Sequence, residues 1–226
     1  MTKNEEHDPQ LIQQAIKTNF PSPLSRKDNG MSKDEKIDYI AERFYDIMYA
    51  LGLDMDDESL QRTPLRVAKM YVEEIFSGID PTSFPDIRFV ENEYHHSNDG
   101  NMVFVKINMN SFCEHHFVPV IGTAYVAYIP NKKLIGLSKI PRIVKFFSQR
   151  PQLQERLCAQ VADCLSTLLE TPSVAVSVTA QHYCMIARGI EDFTSHTTTN
   201  VFRGDFETNP ETRRQFFESI NRNLLS

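Results

Sequence analysis

The sequence predicts an α+β fold: helices first, then a four-stranded antiparallel sheet with two helices inserted between its strand pairs. Between Ser32 and Gly78 apolar residues recur three and four apart, which is the helical period. From Met102 onward the period drops to two, and the segments then run strand, strand, helix, helix, strand, strand. A chain of 226 residues that is 41% hydrophobic is long enough for one sizeable core with an appendage. The expected divisions are an N-terminal segment over 1–30, partly flexible, a helical region over 31–85, and a sheet domain over 86–226 that ends in a helix.

The polar start, Met1–His7, lacks an apolar signal segment, so a cytoplasmic protein is expected. Asp8 to Phe20 reads as a short helix with Leu11, Ile12, Ala15 and Ile16 on one side. Pro21-Ser-Pro and Asp28-Asn-Gly follow as turn or linker material. Ser32 and Glu35 form a capping box, and Ile37, Ile40, Phe44, Ile47, Met48 and Leu51 make one stripe, core or partner-helix surface, before Gly52 stops the helix. Thr63 and Pro64 read as N-cap and first position of a further helix ending at Gly78, with Val67, Met70, Tyr71 and Ile75 inward. Arg66 and Lys69 make a basic pair on its flank, and from pattern alone such a pair is solvated charge. His95 and His96 fall in a polar loop and are expected in solvent.

Val103, Val105, Ile107 and Met109 alternate with Phe104, Lys106 and Asn108, which gives a strand with one core face. Phe117 to Pro130 is the next, with Gly122 as a bulge or kink. Ser138 begins a helix whose buried stripe is Ile140, Ile143, Val144 and Phe147. Pro151 opens another, with Leu153, Leu157, Val161, Cys164, Leu165 and Leu168 inward, and Cys158 and Cys164 as core or boundary thiols. Val174, Val176, Val178 and Ala180 form a third strand that runs into His182 and Cys184, and Thr194 to Phe202 forms the last. Glu211 to Leu225 closes the chain as an amphipathic helix with Phe216, Phe217, Ile220 and Leu224. Two open edges and one uncovered sheet face point to oligomerisation.

The formal charge of −6 argues against a general nucleic-acid or anionic-membrane binder, and no apolar run is long enough to span a membrane. The distribution is more specific: seven basic residues lie between Asn131 and Arg156 against one acid, Glu155. Lys139 and Arg142 sit in the first turn of their helix, where free N–H groups and the dipole favour an anion. A small polyanion such as a nucleoside triphosphate suits that field, although a solvated helix face has the same charge pattern.

Cys113 and His116 are spaced so that one turn aims a thiolate and an imidazole at one ion, and Zn²⁺ takes such ligands at about 2.0 to 2.3 Å. Cys184 supplies a third ligand if its segment is a strand, with His182 beside it on the same face. Three protein ligands leave a position open, as in catalytic rather than structural zinc sites. A cysteine in an apolar strand is also an ordinary buried hydrophobe, and nothing in the spacing alone brings Cys113 to Cys184. The order Cys-Glu-His-His sets aside the His-Glu-x-x-His proteases. Four cysteines do not make a disulfide framework.

Ser111-Phe-Cys-Glu-His-His-Phe117, Tyr128-Ile-Pro130, Ile135-Gly-Leu-Ser-Lys139, Gln149-Arg-Pro-Gln152, Gln154-Glu-Arg156, His182-Tyr-Cys184 and Ala187-Arg-Gly189 together resemble the signature of the zinc form of the GTP cyclohydrolase I family, in order from about Gln61 to about Phe206. The resemblance implies the tunnelling fold, with five subunits joined into a barrel, two rings stacked into a decamer, and active sites at subunit boundaries. It implies hydrolytic opening of the imidazole ring of GTP, loss of C8 as formate, and rearrangement to 7,8-dihydroneopterin triphosphate, the first step of pterin and folate biosynthesis. Zinc on Cys113, His116 and Cys184 would activate the attacking water. His182 would donate a proton at N7, with His115 and Ser138 assisting later transfers. Lys139, Arg142, Arg188, Arg66 and Lys69 would hold the triphosphate, and Leu137 and Gln154 join the substrate site. Periodicity leaves Glu155 on the polar face, whereas the resemblance assigns it to the guanine, where a carboxylate accepts from N1–H and the 2-amino group. A non-catalytic nucleotide-binding module with a structural zinc is the rival reading, and another tunnelling-fold enzyme is the second.

Overall fold

A computed structural model of the chain describes residues 9–17, 23–25, 27, 29–93 and 101–224. Met1–His7, the expected helix ends Asp8 and Phe20, Pro21, Asp28, the loop with His95 and His96, and Leu225 lie outside them. Helix α1 (Pro9–Ile16) buries Ala15, with Leu11 and Ile16 packed against the main core. Helix α2 (Lys33–Ala50) begins at the expected capping box: Ser32 Oγ accepts from the Glu35 N–H, and Glu35 Oε2 accepts from the Ser32 N–H at 2.7 Å. Among the described residues only part of its apolar stripe is covered. Ile37 and Met48 are buried, while Ile47 and Leu51 are 51% and 73% exposed.

Helix α3 (Thr63–Lys69) corrects the expected cap, because Arg62 is the N-cap and Thr63 is already helical. Pro64 still falls in the first turn, where a missing N–H costs no helical bond. The chain does not continue as an α-helix to Gly78; it widens into a π turn over Met70–Ile75 and tightens into a 3-10 turn over Ser77–Ile79. Gly78 permits close approach there, since a Cβ would stand 2.0 Å from the Phe146 carbonyl oxygen. Strand β1 (Phe89–Glu91) follows.

Strand β2 (Val103–Cys113) pairs antiparallel with β3 (Pro119–Tyr128), Val103 opposite Tyr128 and Phe112 opposite Pro119. Alternation works as expected along β2, with Ile107, Met109, Ser111 and Cys113 buried and Lys106, Asn108 and Asn110 exposed. Cys113 is therefore the last residue of the strand, and only Glu114–His116 form the turn. The short β4 (Lys133–Ile135) pairs antiparallel with β1. Neither has enough residues to show a period of two. Helix α4 (Lys139–Ser148) buries Ile140, Ile143, Val144 and Phe147 as expected, together with Phe146.

Pro151 does not open a helix. Pro151–Gln152 form strand β5, parallel to Phe112–Cys113, and helix α5 (Gln154–Leu169) starts two residues later. The Glu114 N–H needs an acceptor, and the Gln152 carbonyl supplies it at 3.1 Å. Leu157, Val161, Cys164, Leu165 and Leu168 of α5 are buried, and so is Cys158. Strand β6 (Val174–His182) pairs with β3, helix α6 (Tyr183–Ile186) follows at once, and β7 (Thr197–Phe202) pairs with β6. The sheet is thus five-stranded and mixed, in the order β5-β2-β3-β6-β7, where the pattern predicts four antiparallel strands.

Gly122 makes no bulge, because the ladder runs through it without a break. Its missing side chain lets the strands close up: a Cβ would lie 2.1 Å from the Thr179 oxygen. One sheet face carries α4 and α5 over the main core. The other, expected bare, is covered at one end by α7 (Asp205–Thr208) and α8 (Pro210–Leu224), whose Phe206 and Phe216 bury Tyr125, Ala127 and Ala175. Among the described residues no helix is long and apolar enough to cross a membrane.

Candidate metal and active centre

The end of the sheet at Cys113 gathers most of the chemistry. A turn after β2 is closed by Cys113 N–H to Val118 O and Phe117 N–H to Cys113 O, both at 2.9 Å, with Phe117 at φ 53°. It sets His116 Nδ1 at 3.9 Å from Cys113 Sγ. Cys184 arrives from β6, but not as a strand neighbour of His182. The ladder ends at His182, and Cys184 lies in the first turn of α6, which swings its thiol toward Cys113. Donor atoms of Cys113, His116 and Cys184 all lie within 4.8 Å of one another, the one such group among the described residues.

This donor set fits zinc. Two sulfurs and one nitrogen are the ligands it prefers, and bonds of about 2.0 to 2.3 Å in a tetrahedron put donors roughly 3.3 to 3.8 Å apart, close to the spacing present. Burial, and then the neighbouring Cys113 thiol, push the Cys184 thiol up. Two adjacent thiolates repel, so a cation is what lets both ionise.

His115 Nδ1 stands 3.8 Å from Cys113 Sγ but outside the three-residue group, with its ring exposed. His182 is half-buried, and burial holds it below the usual imidazole range while Glu155 pulls it back up. Its Nε2 meets Gln154 Oε1 at 2.9 Å, so with that carbonyl accepting, Nε2 carries the proton. Gln154 is buried and directs its amide to Val178 O, Thr197 O and Thr199 Oγ1. Glu155 is exposed, on the polar face as periodicity requires, yet in the same first turn of α5 as Gln154. Arg188 donates from Nη1 to His116 Nε2 at 3.1 Å. Arg66 and Lys69 are exposed on α3, just before the π turn whose Tyr71 packs edge-on against Phe117 at 6.3 Å.

Leu137, Ser138, Lys139 and Arg142 are not brought to this centre. They begin α4 next to β4, whose Lys133 bonds to Glu170 beyond the C-terminal end of α5, while the Cys113 turn lies at the N-terminal end of that helix. The far end of α4 lies beside the turn, where Ser111 Oγ donates to Ser148 O, and ten residues of α4 put its start about 15 Å away at 1.5 Å per residue. Ser138 is the N-cap of α4 but makes no side-chain capping bond. Sequence reasoning assigned no role to Glu114 and Arg156, which form a two-pronged ion pair here at 2.5 and 3.5 Å. A carboxylate inside the ligand turn was the available signal, but its partner lies 42 positions away.

The profile of the GTP cyclohydrolase I family matches residues 40–221. The chain is 50% identical to the GTP cyclohydrolase 1 of Aliivibrio salmonicida over 86% of its length and 88% of that protein. It is 48% identical to that of Vibrio vulnificus over 93% and 96%, and 52% identical to that of Vibrio cholerae serotype O1 over 82% and 85%. The crystal structure of the archaeosine synthase QueF-Like in the apo form overlaps 46% of this chain and 93% of its own, at 17% identity and a TM-score of 0.39. With the Cys/His/Cys group assembled and the match running across nearly all of the described chain, the protein belongs to the GTP cyclohydrolase I family.

Proposed function

We propose that this chain converts GTP into 7,8-dihydroneopterin triphosphate with release of formate, and that Cys113, His116 and Cys184 hold one zinc for that reaction. The observation that carries the reading is the convergence of three soft or borderline ligands from the end of β2, the turn after it and α6, with His115 and His182 next to them in the chain and Glu155 acting on His182. A zinc with an open position supplies an acidified water and a Lewis acid. His182, held by Gln154 through Nε2, would exchange a proton with the purine through Nδ1 as C8 becomes tetrahedral. Glu155, beside His182 in the first turn of α5, would accept from guanine N1–H and the 2-amino group, a pairing adenine lacks. His115 and Ser138 serve the later proton transfers around the ribose. If His116 gave a metal the Nδ1 that faces Cys113, Nε2 would keep the proton and Arg188 would need another acceptor, such as a phosphate oxygen.

Lys139, Arg142, Arg66 and Lys69 complete the triphosphate site, with the α4 residues and Leu137 coming from a neighbouring subunit. Support comes from the distance between α4's start and the metal group, and from the edge of β2, which β5 covers only at Phe112–Cys113. Joining such edges into a barrel of five subunits, and stacking two rings into a decamer in the tunnelling fold, removes them. A reducing cytoplasm keeps the thiols available. The test is incubation with GTP, assaying formate and the fluorescent pterin formed on oxidation, together with zinc analysis. The expected result is both products and about one zinc per subunit, with Cys184→Ser losing metal and activity together. A zinc-loaded, folded protein that binds GTP without releasing formate would favour the structural-zinc module instead.

A further inference from the structure

The two halves of the Cys/His group come from strands that are not neighbours, since β3 lies between β2 and β6. His116 and Cys184 also both fall beyond the ends of their strands, so strand pairing by itself does not set their mutual placement. One short element touches both halves. In the first turn of α5, Arg156 forks onto Glu114, Nη1 to Oε2 at 2.5 Å and Nη2 to Oε1 at 3.5 Å, with side chains only 15% and 18% exposed. Two residues earlier, Gln154 accepts from His182 and is itself pinned by Val178, Thr197 and Thr199.

The cost of this arrangement shows that it is not incidental. A cation in the first turn of a helix opposes the dipole, and a mostly buried guanidinium or carboxylate is tolerated only when paired. Glu114 answers both problems, and its backbone N–H is fixed as well, on Gln152 O just ahead of the same helix. Oε1 of Glu114 also lies 3.9 Å from His115 Nε2, beyond hydrogen-bond reach.

We infer that the first turn of α5 is a bracket that sets the two metal-binding segments against each other, with Glu114 and Arg156 as positioning residues for Cys113 and His116. The inference rests on the metal reading above, and neither residue ligates the metal or touches the substrate in it. Glu114→Gln keeps the shape and removes the charge. Arg156→Lys keeps the charge and removes the fork, and Lys is not equivalent to Arg at a two-pronged site.

The experiment loads parent, Glu114→Gln, Arg156→Lys and the double variant with cobalt(II). It reads the thiolate and ligand-field absorption, the cobalt affinity by chelator competition, and kcat and KM for GTP. Each single variant is expected to weaken cobalt binding about 10- to 100-fold, as loss of an outer support does. Each should also shift the ligand-field bands and lower kcat far more than it raises KM. The double variant should be no worse than the poorer single one, because the two residues act as one unit. Variants that melt earlier yet, once folded, bind cobalt with the parent's affinity and spectrum would overturn the bracket and leave the pair a stability feature. A parent that shows no thiolate-to-cobalt band would overturn the metal reading itself, and the bracket with it.

Discussion

Glu155 is an exposed carboxylate on the polar face of α5, and by period alone it has no task. Its neighbours distinguish it: it lies close enough to His182 to raise that ring's affinity for a proton against the effect of burial. If it accepts two hydrogen bonds from guanine, Glu155→Ala leaves those N–H groups unpaired in the complex, a loss of roughly 1 to 3 kcal/mol. GTP binding should then weaken by about fivefold to 150-fold while zinc content stays at the parent's level. Titration calorimetry measures the affinity and metal analysis of the isolated variant the zinc content, and unchanged affinity would return Glu155 to the solvated face.

At the scale of elements, the approach of β3 to β6 depends on a missing side chain. A Cβ on Gly122 would meet backbone, at 2.1 Å from Thr179 O and 2.5 Å from Ala180 Cα, so it cannot be relieved by turning a flexible group aside. Gly122→Ala should cost about 1 to 3 kcal/mol by overpacking and shift the end of β6 that carries His182. The expected readout is a lower melting temperature with a fall in activity larger than the loss of folded protein. Helix α5 makes a second forecast. Burial pushes the Cys158 thiol up to about 12, and raises Cys164 as well, while both side chains are fully enclosed. A thiol reagent at neutral pH should therefore leave these two unmodified in the native protein and reach them only on denaturation. Mass mapping of the labelled peptides separates them from Cys113 and Cys184.

For the whole molecule, the proposed triphosphate residues of α4 do not lie beside the Cys/His group among the described residues. The basic start of α4 is a helix length away from the Cys/His group, because it is the other end of α4, at Ser148, that meets Ser111. If neighbouring subunits supply the two halves, Cys184→Ser and Arg142→Glu should each be inactive alone, because every site carries the same defect. Dissociating and reassembling them in equal amounts should restore about a quarter of the parent's sites, those that draw both intact halves. A mixture with no regained activity would place the whole site in one chain and require α4 to move. The exposed stripe of α2, with Ile47 and Leu51, is further apolar surface that an isolated chain leaves in water.

The sequence by itself determined the elements whose signal is local. The capping box at Ser32, the alternation along β2 and β6, and the buried stripes of α4 and α5 are readable because side-chain direction repeats with the backbone period. The ligand pair Cys113 and His116 was readable for the same reason, being joined by one turn. Tertiary structure alone decided what depends on residues far apart in the chain. Pro151–Gln152 become a strand because Glu114 offers an unpaired N–H, and no pattern of two residues can announce that. Cys184 reaches Cys113 from a helical turn rather than a strand, since the β6 ladder stops at His182. Arg156 finds Glu114 only when α5 is laid across the sheet, and a buried ion pair leaves no periodic trace in the residues that make it.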